Sequence, residues 1–166
     1  MSKPLLLGEA PARSLASRWE YPLSGPVAKK LCQLAGLAAG APDTDEEPVG
    51  WWYVLRNEFD TMNACERYED AYPWDFERAK DRWIRFLLDH KENPVTADEQ
   101  LTVVCLGRKA AAAVGSWRPW GEWHETRLVR SCVIPHPSGR TREYNDPETR
   151  NLAGRVLRQA REWYWL

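Results

Sequence analysis

The chain has no long hydrophobic run. Near its start the longest is the four residues Pro4–Leu7, too short for a membrane span or for the apolar core of a signal peptide. Net charge is almost absent, −1 over 166 residues, so no global field draws the protein toward nucleic acid or an anionic surface. There are only four cysteines (Cys32, Cys65, Cys105 and Cys132) and no CxxC pair among them, which argues against a clustered metal site and against a disulfide framework. Cys32, Cys105 and Cys132 stand inside apolar runs, the usual setting of a buried free thiol. There is no GxGxxG or Walker-type loop, which counts against an unrelated doubly wound enzyme for a phosphorylated metabolite. Internal repeats and low-complexity segments are also absent. The expectation is a reduced, cytoplasmic protein folded as a single domain over residues 1–166 and acting as a monomer.

What is present is unevenly distributed. Eight arginines fall between Arg127 and Arg161, against Glu143, Asp146 and Glu148 alone. A chain neutral overall but basic at one end can hold a phosphate backbone locally, or can simply carry a solvated helix face. Tryptophan is abundant, at ten. Trp117, Trp120 and Trp123 crowd the segment Ser116–His124, which reads as a surface loop folded on the core or able to stack bases, whereas Trp51, Trp52 and Trp83 fit packing roles.

Four strand candidates alternate with helical patterns: Leu5–Leu7, Phe59–Asn63, Leu101–Leu106 and Leu128–Ile134. The intervening spacing predicts helices over Pro26–Leu37, with Val27, Leu31, Leu34 and Leu37 on one side, and over Asp75–His90. A short alanine-rich helix follows at Arg108–Val114, and a terminal helix starts after Asp146-Pro147 and runs to about Trp163. Ala39–Gly50 reads as a loop by its glycines, prolines and acids. Strands separated by helices predict an α/β fold with a parallel sheet covered on both faces.

In such sheets ligands sit outside the carboxyl ends of the strands, so the strand-terminal loops are where chemistry is expected. Glu9 follows Gly8 at the end of the first strand, where apolar surroundings can tune a carboxylate to hold or deprotonate a water. His136 lies between Pro135 and Pro137, a stiff, extended backbone that fixes an imidazole for stabilising developing negative charge. Ser138, Gly139 and Arg140 add a hydroxyl, backbone amides and a cation, a mixture suited to phosphate, and Arg142 continues the basic run. Ser24 and Gly25 precede the first helix, where backbone amides favour an anion. Asn63, ending the second strand, could read a base edge, because an amide both donates and accepts.

Four segments in this order, GEAP at Gly8–Pro11, PLSGPVAKKL at Pro22–Leu31, VVCLGRKAA at Val103–Ala111 and PHPSGRTREYNDP at Pro135–Pro147, resemble the uracil-DNA glycosylase superfamily. They look closest to the branch with a GE-x-PG first motif and an HPS or NPSG last motif, and they span nearly the whole chain. The resemblance implies a three-layer sandwich with a four-stranded parallel sheet between helices, binding DNA across its strand ends. It implies an enzyme that flips a damaged base and hydrolyses its glycosidic bond without a metal cofactor.

On that pattern Glu9 is similar to the water-positioning carboxylate and His136 to the histidine that stabilises the departing base anion. Gly8 and Ala10 would flank the base, Leu23 stands where an aromatic residue usually stacks, and Asn63 would pair with uracil. Ser24, Gly25, Ser138 and Gly139 fall where phosphates are held, Arg140 where a wedge side chain enters the helix, and Arg142 beside it. Two departures alter the expectation: Ala12 replaces the usual glycine after GEAP, and Leu23 removes aromatic stacking worth roughly 1–3 kcal/mol per base. Some relatives carry an iron–sulfur cluster on four cysteines with a CxxC before the first strand. Seven residues precede Gly8 here and none is Cys, so no cofactor is expected. The expected partner is DNA, and the expected activity is excision of uracil or a related deaminated or modified pyrimidine. The alternative is a catalytically weak scaffold that binds modified DNA or a nucleotide.

Overall fold

The largely apolar stretches at Leu5–Gly8, Leu101–Leu106 and Val129–Ile134, the last with Arg130 half-buried and Ser131 buried, become the three central strands of one sheet, because a strand covered on both faces needs mostly side chains that lose little on leaving water. A computed structural model of the protein describes residues 2–10, 23, 26–37, 48–67, 71, 73–116, 118–138 and 142–165. In chain order the elements are β1 (Leu5–Gly8), α1 (Pro26–Ala35), α2 (Pro48–Arg56), β2 (Asp60–Asn63), α3 (Phe76–Glu92), β3 (Leu101–Leu106), α4 (Arg108–Val114), β4 (His124–Glu125), β5 (Val129–Ile134), a 3-10 turn at Glu143–Asn145, and α5 (Pro147–Trp165). The class is α/β, and none of the described helices is long and apolar enough to cross a membrane.

The sheet order is β2-β1-β3-β5-β4. β2, β1, β3 and β5 run parallel, with Gly8 opposite Asn63 and Cys105 opposite both Leu7 and Val133. The expected wholly parallel, four-stranded sheet needs correcting: the structure has five strands, and β4 pairs antiparallel with β5, His124 opposite Ser131 and Glu125 opposite Arg130. The cause is a tight reversal before β5. The Thr126 amide donates to the Val129 carbonyl (2.8 Å), and the Val129 amide donates to Thr126 Oγ1 (3.1 Å). That folds Glu125 back beside Arg130, and a two-residue strand offers no alternation for a sequence to reveal.

Side chains alternate between the two faces of the sheet. Leu6, Val104, Leu106, Cys132 and Ile134 join α1, α2 and α5 in one apolar cluster, while Leu5, Leu7, Val103, Cys105 and Val133 join α3 and α4 in another. The buried stripe of α1 is Ala28, Leu31, Cys32 and Ala35, with Val27, Leu34 and Leu37 only partly covered. Small residues lead because α1 comes very close to α5: a Cβ at Gly154 would lie 2.8 Å from the Leu34 carbonyl oxygen. α1 ends at Ala35 rather than Leu37. Gly36 takes a positive φ of 75°, and the Leu37 amide turns back to the Cys32 carbonyl (2.8 Å), a Schellman stop.

α2 begins inside the segment read as a loop. Pro48 opens it, and Trp51, Trp52 and Leu55 are buried. α3 starts at Phe76, with Asp75 as its N-cap accepting from the Arg78 amide (3.1 Å), and continues two residues past His90. Asp146 caps α5 in the same way, its Oδ1 accepting from the Glu148 amide (3.0 Å).

Phe59 is fully buried just before β2, against the α1–α2 face. Phe59→Ala should therefore cost about 3–5 kcal/mol, the usual range for emptying an aromatic core site. Thermal unfolding should show a midpoint lowered by roughly 10 °C. A midpoint shift of less than a few degrees would mean that the packing on this face tolerates a cavity.

Candidate functional site

The ladder between β1 and β2 runs on past both strands. The Ala64 amide donates to the Gly8 carbonyl and the Cys65 amide to the Glu9 carbonyl, each at 2.8 Å, so the backbone carrying Glu9 is held although it lies beyond the strand. Two side chains close over Gly8. A Cβ there would stand 2.7 Å from Asn63 Oδ1 and 2.7 Å from Leu23 Cδ2, so only glycine lets the amide and the leucine meet over the end of β1. Leu23 has a φ of 61°, the only described non-glycine residue with a positive φ. A leucine in that region stores on the order of 1–3 kcal/mol of strain, a feature that concentrates at functional sites.

Gly107 plays the same part at the end of β3. Its amide donates to the Ile134 carbonyl (2.8 Å), tying β3 to β5 one residue past the strand, and its φ is 95°. A Cβ at Gly107 would lie 2.7 Å from Glu9 Oε1 and 3.3 Å from the His136 Cβ. The Glu9 carboxylate, carried past the first strand, and the base of the His136 side chain, carried past the last, thus both come close to Gly107.

The electrostatics of the two groups differ. Burial pushes the Glu9 carboxyl above its ordinary value, and the Lys109 ammonium pulls it part of the way back. Lys109 is held from its other side, its ammonium donating to the Ala71 carbonyl (3.3 Å) and lying 5.8 Å from the Trp74 ring centroid. Burial lowers the His136 imidazole to about 4, so the ring is neutral around pH 7. Its backbone is clamped: Pro135 and Pro137 are buried, and the Tyr144 hydroxyl donates to the Pro135 carbonyl (2.5 Å).

Asn63 is 6% exposed, and its Oδ1 has no hydrogen-bond donor among the described residues. A buried acceptor left so costs about 1–3 kcal/mol, and it would welcome an N–H from a ligand. Its own carbonyl is taken by Arg82 Nε (3.1 Å).

Of the residues singled out from the sequence, Gly8, Glu9, Leu23, Asn63 and His136 converge at the carboxyl edge of the sheet. Ala10 follows, partly buried against the α3–α4 face. Ser138 is half-buried two residues beyond His136, and Arg142 is exposed. Ser24, Gly25, Gly139 and Arg140, like Ala12, lie outside the described residues.

Three contributors were not singled out. Gly107 was visible only as the residue that ends an apolar strand. Lys109 carries no local signal, because its partners Glu9 and Ala71 come from distant segments, and Tyr144 meets Pro135 only through the fold of the segment they share. Two surface cavities are lined by other residues: one of about 520 Å³ at the amino ends of β1, β2 and β3, the other of about 720 Å³ between the end of β2 and α3, next to Asn63 through Arg82. Among the described residues no group of three or more His, Cys, Asp or Glu side chains could hold a metal ion. The sequence matches no protein-family model and no curated protein at a significant level.

The His136 environment has a measurable consequence. As pH falls below about 6.5 the unfolded chain takes up a proton on this residue, while the folded protein does so only near pH 4, so stability drains away across that window. Glu9, shifted the other way, partly offsets this, because the folded state holds its proton more tightly. Relative to wild type, His136→Gln should gain stability on acidification from pH 6.5 to 4, by up to about 3 kcal/mol. Urea unfolding of both proteins across that range measures it. A difference that stays constant with pH would show that the imidazole is not desolvated.

Proposed function

We propose that the protein is a DNA glycosylase of the uracil-DNA glycosylase superfamily, hydrolysing the N-glycosidic bond of uracil or a related deaminated or modified pyrimidine flipped out of DNA. The observation that carries the reading is the buried Oδ1 of Asn63 over Gly8, which has no donor among the described residues, one residue from a carboxylate of raised pKa that shares the approach to Gly107 with the Cβ of a neutral His136. An imide N–H on a pyrimidine is the donor that Oδ1 lacks. The four parallel strands in the order β2-β1-β3-β5, with helices on both faces, are compatible with the core expected for that superfamily, β4 being an addition.

The chemistry follows from the two titratable groups. The bond between the base nitrogen and the anomeric carbon breaks, its electron pair leaves with the base, and a water oxygen bonds to the sugar carbon. A neutral His136 donates a hydrogen bond to the base oxygen as negative charge collects there, and it costs no reorganisation because its backbone is already fixed. Ionised Glu9 favours the cationic sugar and accepts the proton of the attacking water. Its raised pKa strengthens it as a base, at the expense of activity in acid. Leaving DNA costs a flipped base a few kcal/mol, least when it is mispaired or already single-stranded.

One observation favours a second reading. The Leu23 side chain lies against Gly8 beside Asn63, in the position where a stacking ring would be expected. A scaffold that binds modified DNA or a nucleotide with little turnover would be consistent with that contact.

A panel of oligonucleotides, each carrying one altered base and developed by alkaline cleavage, separates the two. Scission at one base supports the enzyme, whereas tight binding without scission at any base supports the scaffold. On the best substrate His136→Ala should lower single-turnover excision by about 10²–10³-fold while leaving affinity nearly unchanged, because its interaction strengthens only as charge develops. The wild-type rate should fall as pH drops through the raised pKa of Glu9, where the carboxylate is neutralised. Equal losses of affinity and rate in His136→Ala would reduce the histidine to a DNA contact and end the proposed mechanism.

A further inference from the structure

The cavity of about 720 Å³ between the end of β2 and α3 gathers a cationic wall that the run Arg127–Arg161 does not. Arg78, Arg82 and Arg85 follow the i, i+4, i+7 spacing of a single helix face, and Arg67 lines the same groove from the segment after β2. Three of the eight arginines of the C-terminal run are committed internally by comparison. Arg130 lies 3.9 Å from the Trp163 ring centroid and pairs with Glu125, Arg150 donates to the Tyr144 carbonyl, and Arg161 pairs with Glu58.

The groove meets the candidate site at Asn63. That residue turns its amide oxygen toward Gly8 and gives its carbonyl to Arg82. From Arg78 to Arg85 the helix advances about 10 Å, enough to face a few nucleotides of a stacked strand at roughly 3.4 Å each. Guanidinium forks suit phosphate oxygens better than point charges do.

Acids temper the wall without closing it. Glu66, Asp81 and Asp89 also line the groove. The Arg82–Glu66 contact is long, 3.9 Å, with the glutamate side chain 79% exposed, so a phosphate can displace it. Arg78 leans on its cap Asp75 at 3.8 Å, also in solvent, and Arg85 has no ion pair among the described residues.

We propose that this groove holds the phosphate backbone of the single strand on one side of the base delivered to Asn63. The inference rests on the glycosylase reading and extends it: the substrate is a strand tracked along α3, with affinity that is modest and sensitive to salt. Nothing in the sequence singled these arginines out, because acids interleave them and the local charge is nearly balanced.

The test is fluorescence anisotropy of a labelled single-stranded oligonucleotide carrying one uracil, across a salt series. Arg78→Gln/Arg85→Gln, at two exposed positions, should weaken binding by about tenfold or more near 0.1 M salt. It should also lower the slope of log affinity against log salt by about 1.4, two contacts at roughly 0.7 each for a single strand. Arg155→Gln/Arg158→Gln, exposed on α5 across the sheet, should leave the slope unchanged. Arg85→Lys should retain it, as a phosphate contact keeps its charge. Wild-type binding with an unaltered slope in the groove variant would overturn the groove and leave the glycosylase reading standing. So would an equal loss in the α5 variant, which would make the effect one of general charge. Failure of the wild-type protein to bind the strand at all would remove the glycosylase reading and the groove with it.

Discussion

The amide of Gly107 donating to the carbonyl of Ile134 extends the contact between β3 and β5 one residue past the strands, and the site depends on that extra step. It brings the end of β5, and with it His136, level with the end of β1, where Glu9 begins. Because Gly107 has no side chain, the Glu9 carboxylate and the His136 Cβ can both occupy the space that a Cβ there would fill. Gly8 repeats the device between β1 and β2, where the Asn63 amide and the Leu23 side chain fill the space that a Cβ would take.

Around those points Glu9 and His136 are half-buried, and that partial loss of water sets the chemistry. Burial drives the carboxyl of Glu9 up and the imidazole of His136 down, so each is biased toward its neutral form. Lys109 opposes the bias at Glu9 alone, because its ammonium, braced by Ala71 and Trp74, faces the carboxylate. One cation thus keeps the acid ionisable while the histidine remains an uncharged donor. The same burial places Cys32, Cys65, Cys105 and Cys132 in the core, and the Cys32 thiol is pushed up to about 12, well outside the range of a working nucleophile.

The central strands were legible because Leu5–Leu7, Leu101–Leu106 and Leu128–Ile134 are mostly apolar stretches, ended by glycine or proline, a pattern local to each segment, although the last strand begins one residue later than read, at Val129. α4 was legible from its alanines and α3 from a clean stripe around Ala79 and Trp83. α2 was not, since Trp51, Trp52 and Leu55 are buried against α1 without a polar alternation to show their period. β4 exists only through its reversal at Thr126. In the site, the end of a strand or a stiff loop marked Glu9, Asn63 and His136. Tyr144 reaches Pro135 within one quoted segment, but only the fold of that segment brings its hydroxyl to the carbonyl, and Lys109 acquires its part from a contact thirty-eight residues away. The arginines of α3 were hidden differently: their spacing was regular, but a helix face is a surface only once its neighbours are known.

The two edges of the sheet also differ from a bare strand in what they offer another chain. A parallel sheet whose outermost strand were long and bare would offer its free amides and carbonyls to another copy of the chain. Here one flank ends in a strand of two residues whose Glu125 carries the Arg130 ion pair, too short and too charged to template a neighbour. On the other flank Arg82 occupies the last carbonyl of β2, and the exposed Asp60 stands at its start. A protein with an apolar sheet core and ten tryptophans needs such protection when it is made in quantity, and here two arginines and two acids supply it at the margins without touching the core.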